Sequence, residues 1–160
     1  VVEAMKLSEI FTESHIIPEL KAKNKQAVLE ELVDTLSRQE PSLDKGTLVR
    51  VLIDRERLGS TGIGEGVAIP HGKVGGINQP IISFGRSRQG LDFDSVDGQR
   101  AHLFFLLIAP ENSAGIHLKV LARIAKILKS SVFRKRLMEA KGSGDIYRTI
   151  TETDEESLDT

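Results

Sequence analysis

Gly59-Ser60-Thr61-Gly62-Ile63-Gly64-Glu65-Gly66-Val67-Ala68-Ile69-Pro70-His71-Gly72 is the stretch on which the reading of this chain turns. Glycines at 59, 62, 64 and 66 permit positive φ and let another group approach the backbone closely. Successive exposed N–H groups in such a loop can form an anion-binding nest. Val67 to Ile69 then reads as a short strand, closed by Pro70-His71-Gly72. Proline fixes the backbone on one side of His71 and glycine frees it on the other, which presents an imidazole at a strand end. The local pattern also allows a plain turn and a solvated histidine. No Lys-Ser or Lys-Thr pair closes the loop, so it is not a P-loop. The glycine spacing also departs from the dinucleotide-binding fingerprint.

On the N-terminal side, Lys6 to Phe11 reads as a helical turn. Ile16, Ile17 and Leu20 around Pro18 read as an edge strand. A helix is predicted from Asn24 to Gln39, capped by Asn24, with Ala27, Val28, Leu32, Val33 and Leu36 at helical spacing. A second follows from Leu43 to Leu58, with Asp44 at its start and Leu48, Val49, Leu52 and Ile53 on its apolar side. On the C-terminal side, Ile81 to Arg88 reads as a strand and Leu91 to Gln99 as turns. Leu103 to Ala109 reads as a central strand covered on both faces. Ser113 is placed to cap a helix from Ala114 to Lys129, whose apolar stripe includes His117, Leu121, Ile124 and Leu128. Helices from Val132 to Ala140 and from Asp145 to Thr153 complete the chain. The acidic tail, 154–160, is expected to fray. One sheet with helices packed on it, an α/β domain, accounts for this order.

The bulk properties exclude several classes. The chain has 160 residues, a length that suits one domain. It has no cysteine, so disulfides and thiolate zinc sites are excluded. With 22 basic and 23 acidic residues and a formal charge of −1, it has no electrostatic footprint for nucleic acid or an anionic membrane. Leu103 to Ala109 is too short to span a bilayer, and the N-terminus carries no signal-peptide pattern. Met5 reads as a native start, and a cytoplasmic protein without membrane insertion is expected.

Two further residues draw attention. His117, in the first turn of its predicted helix, is either a core histidine or a hydrogen-bond donor at an anion-attracting helix N-terminus. Arg55 reads as a surface ion-pair residue or as a bidentate anion ligand. His15 and His102 have no comparable setting. A metal site on His71 and His117 lacks a third ligand motif.

Taken with the preceding Arg55-Glu56-Arg57-Leu58, the stretch through Gly72 resembles the active-site signature of phosphotransferase-system IIA domains of the mannitol/fructose type. Gly-Ser-Thr-Gly-Ile-Gly and Ala-Ile-Pro-His-Gly-Lys are most similar to the nitrogen-regulatory branch, IIA-Ntr. Ile116-His117-Leu118-Lys119-Val120-Leu121-Ala122 resembles the family's second histidine motif. The resemblance runs from Leu7 to Thr153, which leaves 1–6 as an N-terminal extension, 7–153 as the type-2 EIIA domain and 154–160 as a flexible tail. It implies a mixed β-sheet flanked by helices on both faces. It implies a phosphohistidine at His71, with His117 as the second active-site histidine and Arg55 as the phosphate-binding arginine. Arg57 is the alternative to Arg55, and the role of Glu56 is open. Ser60 and Thr61 match a Ser-Thr pair near the pocket and are implied as further phosphate-binding residues. No cofactor or metal is implied. The implied donor is HPr or a nitrogen-branch phosphocarrier. A IIB domain, a potassium transporter or a sensor kinase would be the downstream partner, in a regulatory role or, alternatively, a sugar-transport role or that of a phosphorylation-switched binding module.

Overall fold

The computed structural model describes residues 6–158. The expected start at Met5, the rest of the extension before Lys6 and the last two residues of the tail lie outside them. Six strands form one mixed sheet: β1 (Ile16–Ile17), β2 (Gly62–Gly64), β3 (Val67–Ala68), β4 (His71–Val74), β5 (Ile81–Leu91) and β6 (Ala101–Pro110). Their order is β1-β5-β6-β3-β2, and β4 also pairs with β6. The β5/β6 pair is antiparallel, whereas β3 and β4 run parallel to β6, beside Leu103–Phe104 and then Leu107–Pro110. These two strands therefore follow one another along a single edge of β6. The break between them falls at Ile69-Pro70, immediately before His71.

The alternation of side chains along β6 divides the interior in two. Leu103, Phe105 and Leu107 join one apolar cluster with Val120, Ile124, Phe133, Leu137, Ile146 and Ile150. Those partners come from α3 (Ala114–Leu128), α4 (Ser131–Glu139) and α5 (Ser143–Leu158). Phe104, Leu106 and Ile108 join the other cluster with Val28, Leu32, Leu36, Leu48 and Leu52. These belong to α1 (Lys25–Gln39) and α2 (Lys45–Arg57). Each such side chain contributes roughly 1.5–3 kcal/mol by leaving water. The continuous apolar run of β6 follows from its having two covered faces.

The helix starts follow local chemistry. Asn24 Oδ1 accepts from the N–H of Ala27 at 2.9 Å, and Asp44 Oδ2 accepts from that of Thr47 at 2.9 Å. Four expectations need correction. The glycine-rich stretch is not all loop, because Gly62–Gly64 is β2 and forms a hairpin with β3. Gly64 pairs with Val67, so Glu65 and Gly66 make a two-residue turn, and both have positive φ, 57° and 77°. That is the conformation a tight hairpin of natural twist needs. Strand β5 runs past Arg88 to Leu91, with an irregular register that absorbs the extra residues. Ser113 does not cap α3 with its side chain; its hydroxyl donates to the Pro110 carbonyl at 2.6 Å instead. Finally, α5 continues through Leu158 where a fraying tail was expected. Asp154 is fully buried, takes Arg123 at 2.7 Å and accepts the N–H of Leu7 at 2.8 Å, and this anchors the helix end.

Candidate functional site

His71 opens β4 in register with Leu107, so its ring projects to the face covered by α3. Gly72, the next residue, faces α2. A Cβ built on Gly72 would lie 2.7 Å from Val51 Cγ1, so only glycine lets β4 lie this close to the helix that carries Arg55. Strand β4 is thereby held between α2 and α3 at the sheet edge.

The half-buried His71 ring is oriented by one bond. Its Nδ1 lies 2.8 Å from the carbonyl oxygen of Ile69. A carbonyl only accepts, so Nδ1 carries the proton and Nε2 keeps its lone pair. Burial lowers the proton affinity of this imidazole, and the Arg55 guanidinium lowers it further. The Ile69 bond and the Glu56 carboxylate act in the opposite sense, but the net shift is downward. The neutral, nucleophilic form therefore dominates at neutral pH.

His117, in the first turn of α3, brings its ring centroid to 5.2 Å from that of His71, edge to face at 71°. It is buried, and its Nδ1 has no hydrogen-bond partner among the described residues. Burial first, then the neighbouring His71 and the Lys73 ammonium, push its pKa down from 6.5 to about 4. His117 thus lies in the apolar stripe of α3 and faces the first histidine. Among the described residues no side-chain bond caps α3, which leaves its first-turn N–H groups to an anion.

Arg55 lies in the last turn of α2 and is an electrostatic neighbour of His71. Its Nη1 donates to the Gly59 carbonyl at 2.9 Å, which ties the helix end to the glycine-rich segment. Arg57, the alternative, instead pairs with Asp54 at 3.3 Å, with both side chains largely exposed. Ser60 and Thr61 are near the site in sequence, but their hydroxyls are engaged elsewhere. The Ser60 hydroxyl donates to the Phe93 carbonyl at 2.7 Å, and that of Thr61 donates to Glu56. The sequence reading gave Lys73 no role and left that of Glu56 open. Lys73 shares a strand face with His71, and its period-two spacing was the available signal. Glu56 is joined at 2.8 Å to Lys25 of α1, far from it in sequence, and nothing local announced that contact.

Among the described residues no three metal-binding side chains come together, and no helix is long and apolar enough to cross a membrane.

A family model for the phosphoenolpyruvate-dependent sugar phosphotransferase system, EIIA 2, matches residues 9–153. The fructose-specific EIIABC component of the phosphotransferase system from Bacillus subtilis is 38% identical over 150 residues. The match covers 94% of this chain and 24% of that relative, so the chain spans about a quarter of its length. The nitrogen regulatory protein of Bradyrhizobium diazoefficiens is 36% identical over 146 residues, which cover 91% of this chain and 95% of that one. The crystal structure of the nitrogen regulatory protein IIA-Ntr from Neisseria meningitidis superposes with a TM-score of 0.85 at 36% identity, covering 91% of this chain and 99% of that one.

Proposed function

Since the chain belongs to the EIIA 2 family of the phosphoenolpyruvate-dependent sugar phosphotransferase system, we propose that residues 7–153 accept and pass on a phosphoryl group at Nε2 of His71. The observation that carries this reading is the pairing of two imidazoles. One is fixed through Nδ1 by Ile69, and the other stands 5.2 Å away with an unpartnered nitrogen. The donor is a phosphohistidine on an HPr-like or nitrogen-branch carrier. The Nε2 lone pair attacks phosphorus in line. The donor's P–N bond breaks as the new one forms, and the donor nitrogen keeps the electron pair. The transition state is loose, so positioning and charge stabilisation supply most of the acceleration. Arg55 offers a planar, permanently charged fork to two oxygens. His117 and the uncapped N–H groups of α3 meet the phosphoryl group from the other side. Ser60 and Thr61 shape the glycine-rich segment rather than hold phosphate. Leu58, three residues after Arg55, and Ile116 and Leu118, which flank His117 in sequence, are exposed apolar side chains of the kind a protein donor can cover.

The test is incubation with phosphoenolpyruvate, Enzyme I and each carrier, read by phosphorus NMR. The parent is expected to carry an acid-labile phosphate and His71→Ala none. Label remaining on a folded His71→Ala variant sinks the assignment.

The similarity to nitrogen regulatory proteins along nearly their whole length favours a regulatory role, with a potassium transporter or sensor kinase as the proposed target. The 38% identity to a fructose-specific component favours a second reading, in which phosphate passes to a IIB domain in sugar transport. Transfer from the labelled protein to a IIB domain separates the two. In either role the protein works in the cytoplasm.

A further inference from the structure

Glu56 takes no part in the transfer chemistry described above, yet its side chain is only 6% exposed. Its carboxylate receives three donors. Lys25 Nζ lies at 2.8 Å, the N–H of Thr61 at 3.1 Å, and the Thr61 hydroxyl donates to the second oxygen. Lys25 is itself held, 4.8 Å over the Phe93 ring and 3.4 Å from Asp94. An exposed lysine–carboxylate pair would be worth little. A buried carboxylate with charge-assisted bonds to two elements is instead a fixed point. From it a short chain of contacts leads to the imidazole. The Thr61 carbonyl accepts the N–H of Ile69 at 3.0 Å. The Ile69 carbonyl accepts Nδ1–H of His71 at 2.8 Å. The oxygen that selects the His71 tautomer therefore belongs to a residue hung from Thr61, and Thr61 is hung from Glu56.

We propose that Glu56 is a positioning residue, which holds His71 in its Nδ1–H tautomer through Thr61 and the Ile69 carbonyl and so keeps Nε2 free to attack. The inference rests on the phosphoryl-acceptor reading of His71 and deepens it. It is a claim about a tautomer, so it can be separated from a purely structural role, which would change thermal stability alone.

The experiment uses the full ¹⁵N-labelled chain as parent, Glu56→Ala, Glu56→Asp and Glu56→Gln. Long-range ¹H–¹⁵N correlation of the His71 ring reports the tautomer, and phosphoryl uptake from the phosphocarrier reports the maximal rate and KM. In Glu56→Ala, His71 is expected to become a mixture of tautomers. Its maximal rate should fall about 10- to 100-fold, the scale of an ångström-sized misplacement, with KM within about twofold of the parent. Glu56→Gln keeps an oxygen for the Thr61 N–H and should recover most of both. Glu56→Asp keeps the charge but withdraws the carboxylate by one methylene, and should show a smaller loss in the same direction. A folded Glu56→Ala that stays wholly Nδ1–H at the parental rate overturns the proposal. Should Glu56→Ala not fold, the parental tautomer and rate in Glu56→Asp overturn it equally. A parent that takes up no phosphoryl group removes the acceptor reading, while the tautomer measurement, which needs no phosphate, still decides for or against Glu56.

Discussion

Replacing His117 by glutamine should remove a large part of the acid sensitivity of the fold. In the unfolded chain this imidazole titrates near its ordinary 6.5, whereas in the folded protein it is held down to about 4 by burial, His71 and Lys73. Between those values the unfolded state binds a proton that the folded state refuses. The stability contributed by a neutral His117 is thus whole above about pH 6.5 and is lost as pH falls toward about 4. Integrating that difference from about pH 7.5 to about pH 5 gives a loss of about 2 kcal/mol from this one group, a large share of the stability of a typical domain. Glutamine cannot take the proton, and whatever it costs in packing is the same at both pH values. Urea unfolding of parent and His117→Gln at the two pH values therefore isolates the effect. The parent should lose about 2 kcal/mol more than the variant between them. Equal losses would mean that His117 is not buried against a cationic neighbourhood, and the geometry drawn for the pair of imidazoles would fall with it.

Two further perturbations test how the site is held. Asp154→Ala leaves Arg123 without its partner and the Leu7 N–H without its acceptor, at a cost of about 3–5 kcal/mol typical of a broken buried pair. Denaturant unfolding measures the loss, and hydrogen exchange at Leu7 should quicken; an unchanged midpoint would contradict the buried anchor. Gly72→Ala should cost about 1–3 kcal/mol because the new methyl meets Val51. Adding Val51→Ala should recover most of that, and a double variant no more stable than Gly72→Ala would show that the clash is not the cause.

Where periodicity and capping act locally, the sequence was enough. Asn24 caps the helix it was expected to cap, and Asp44, expected only at a helix start, caps the next, because an Asx side chain reaches only the N–H groups of its own first turn. The run Leu103 to Ala109 announced a strand buried on both faces, because only such a strand tolerates apolar residues at every position. Expectations failed where a partner lay far along the chain or where a nearby acceptor outcompeted the expected one. The acidic composition of 154–158 reads as a solvated tail until Arg123 and the N–H of Leu7 are brought to Asp154. Ser113 looks like a cap until the Pro110 carbonyl takes its hydroxyl. By itself the sequence determined the chemical types at the candidate site, a histidine between proline and glycine, a second histidine in a helix's first turn and an arginine at a helix end. Only the tertiary structure decided which face His71 turns to, that Arg55 rather than Arg57 is its charged neighbour, and that Ser60 and Thr61 are engaged elsewhere. Those outcomes depend on strand register and on contacts between α1, α2 and α3, whose geometry is set by packing both faces of one sheet and is written in no single segment.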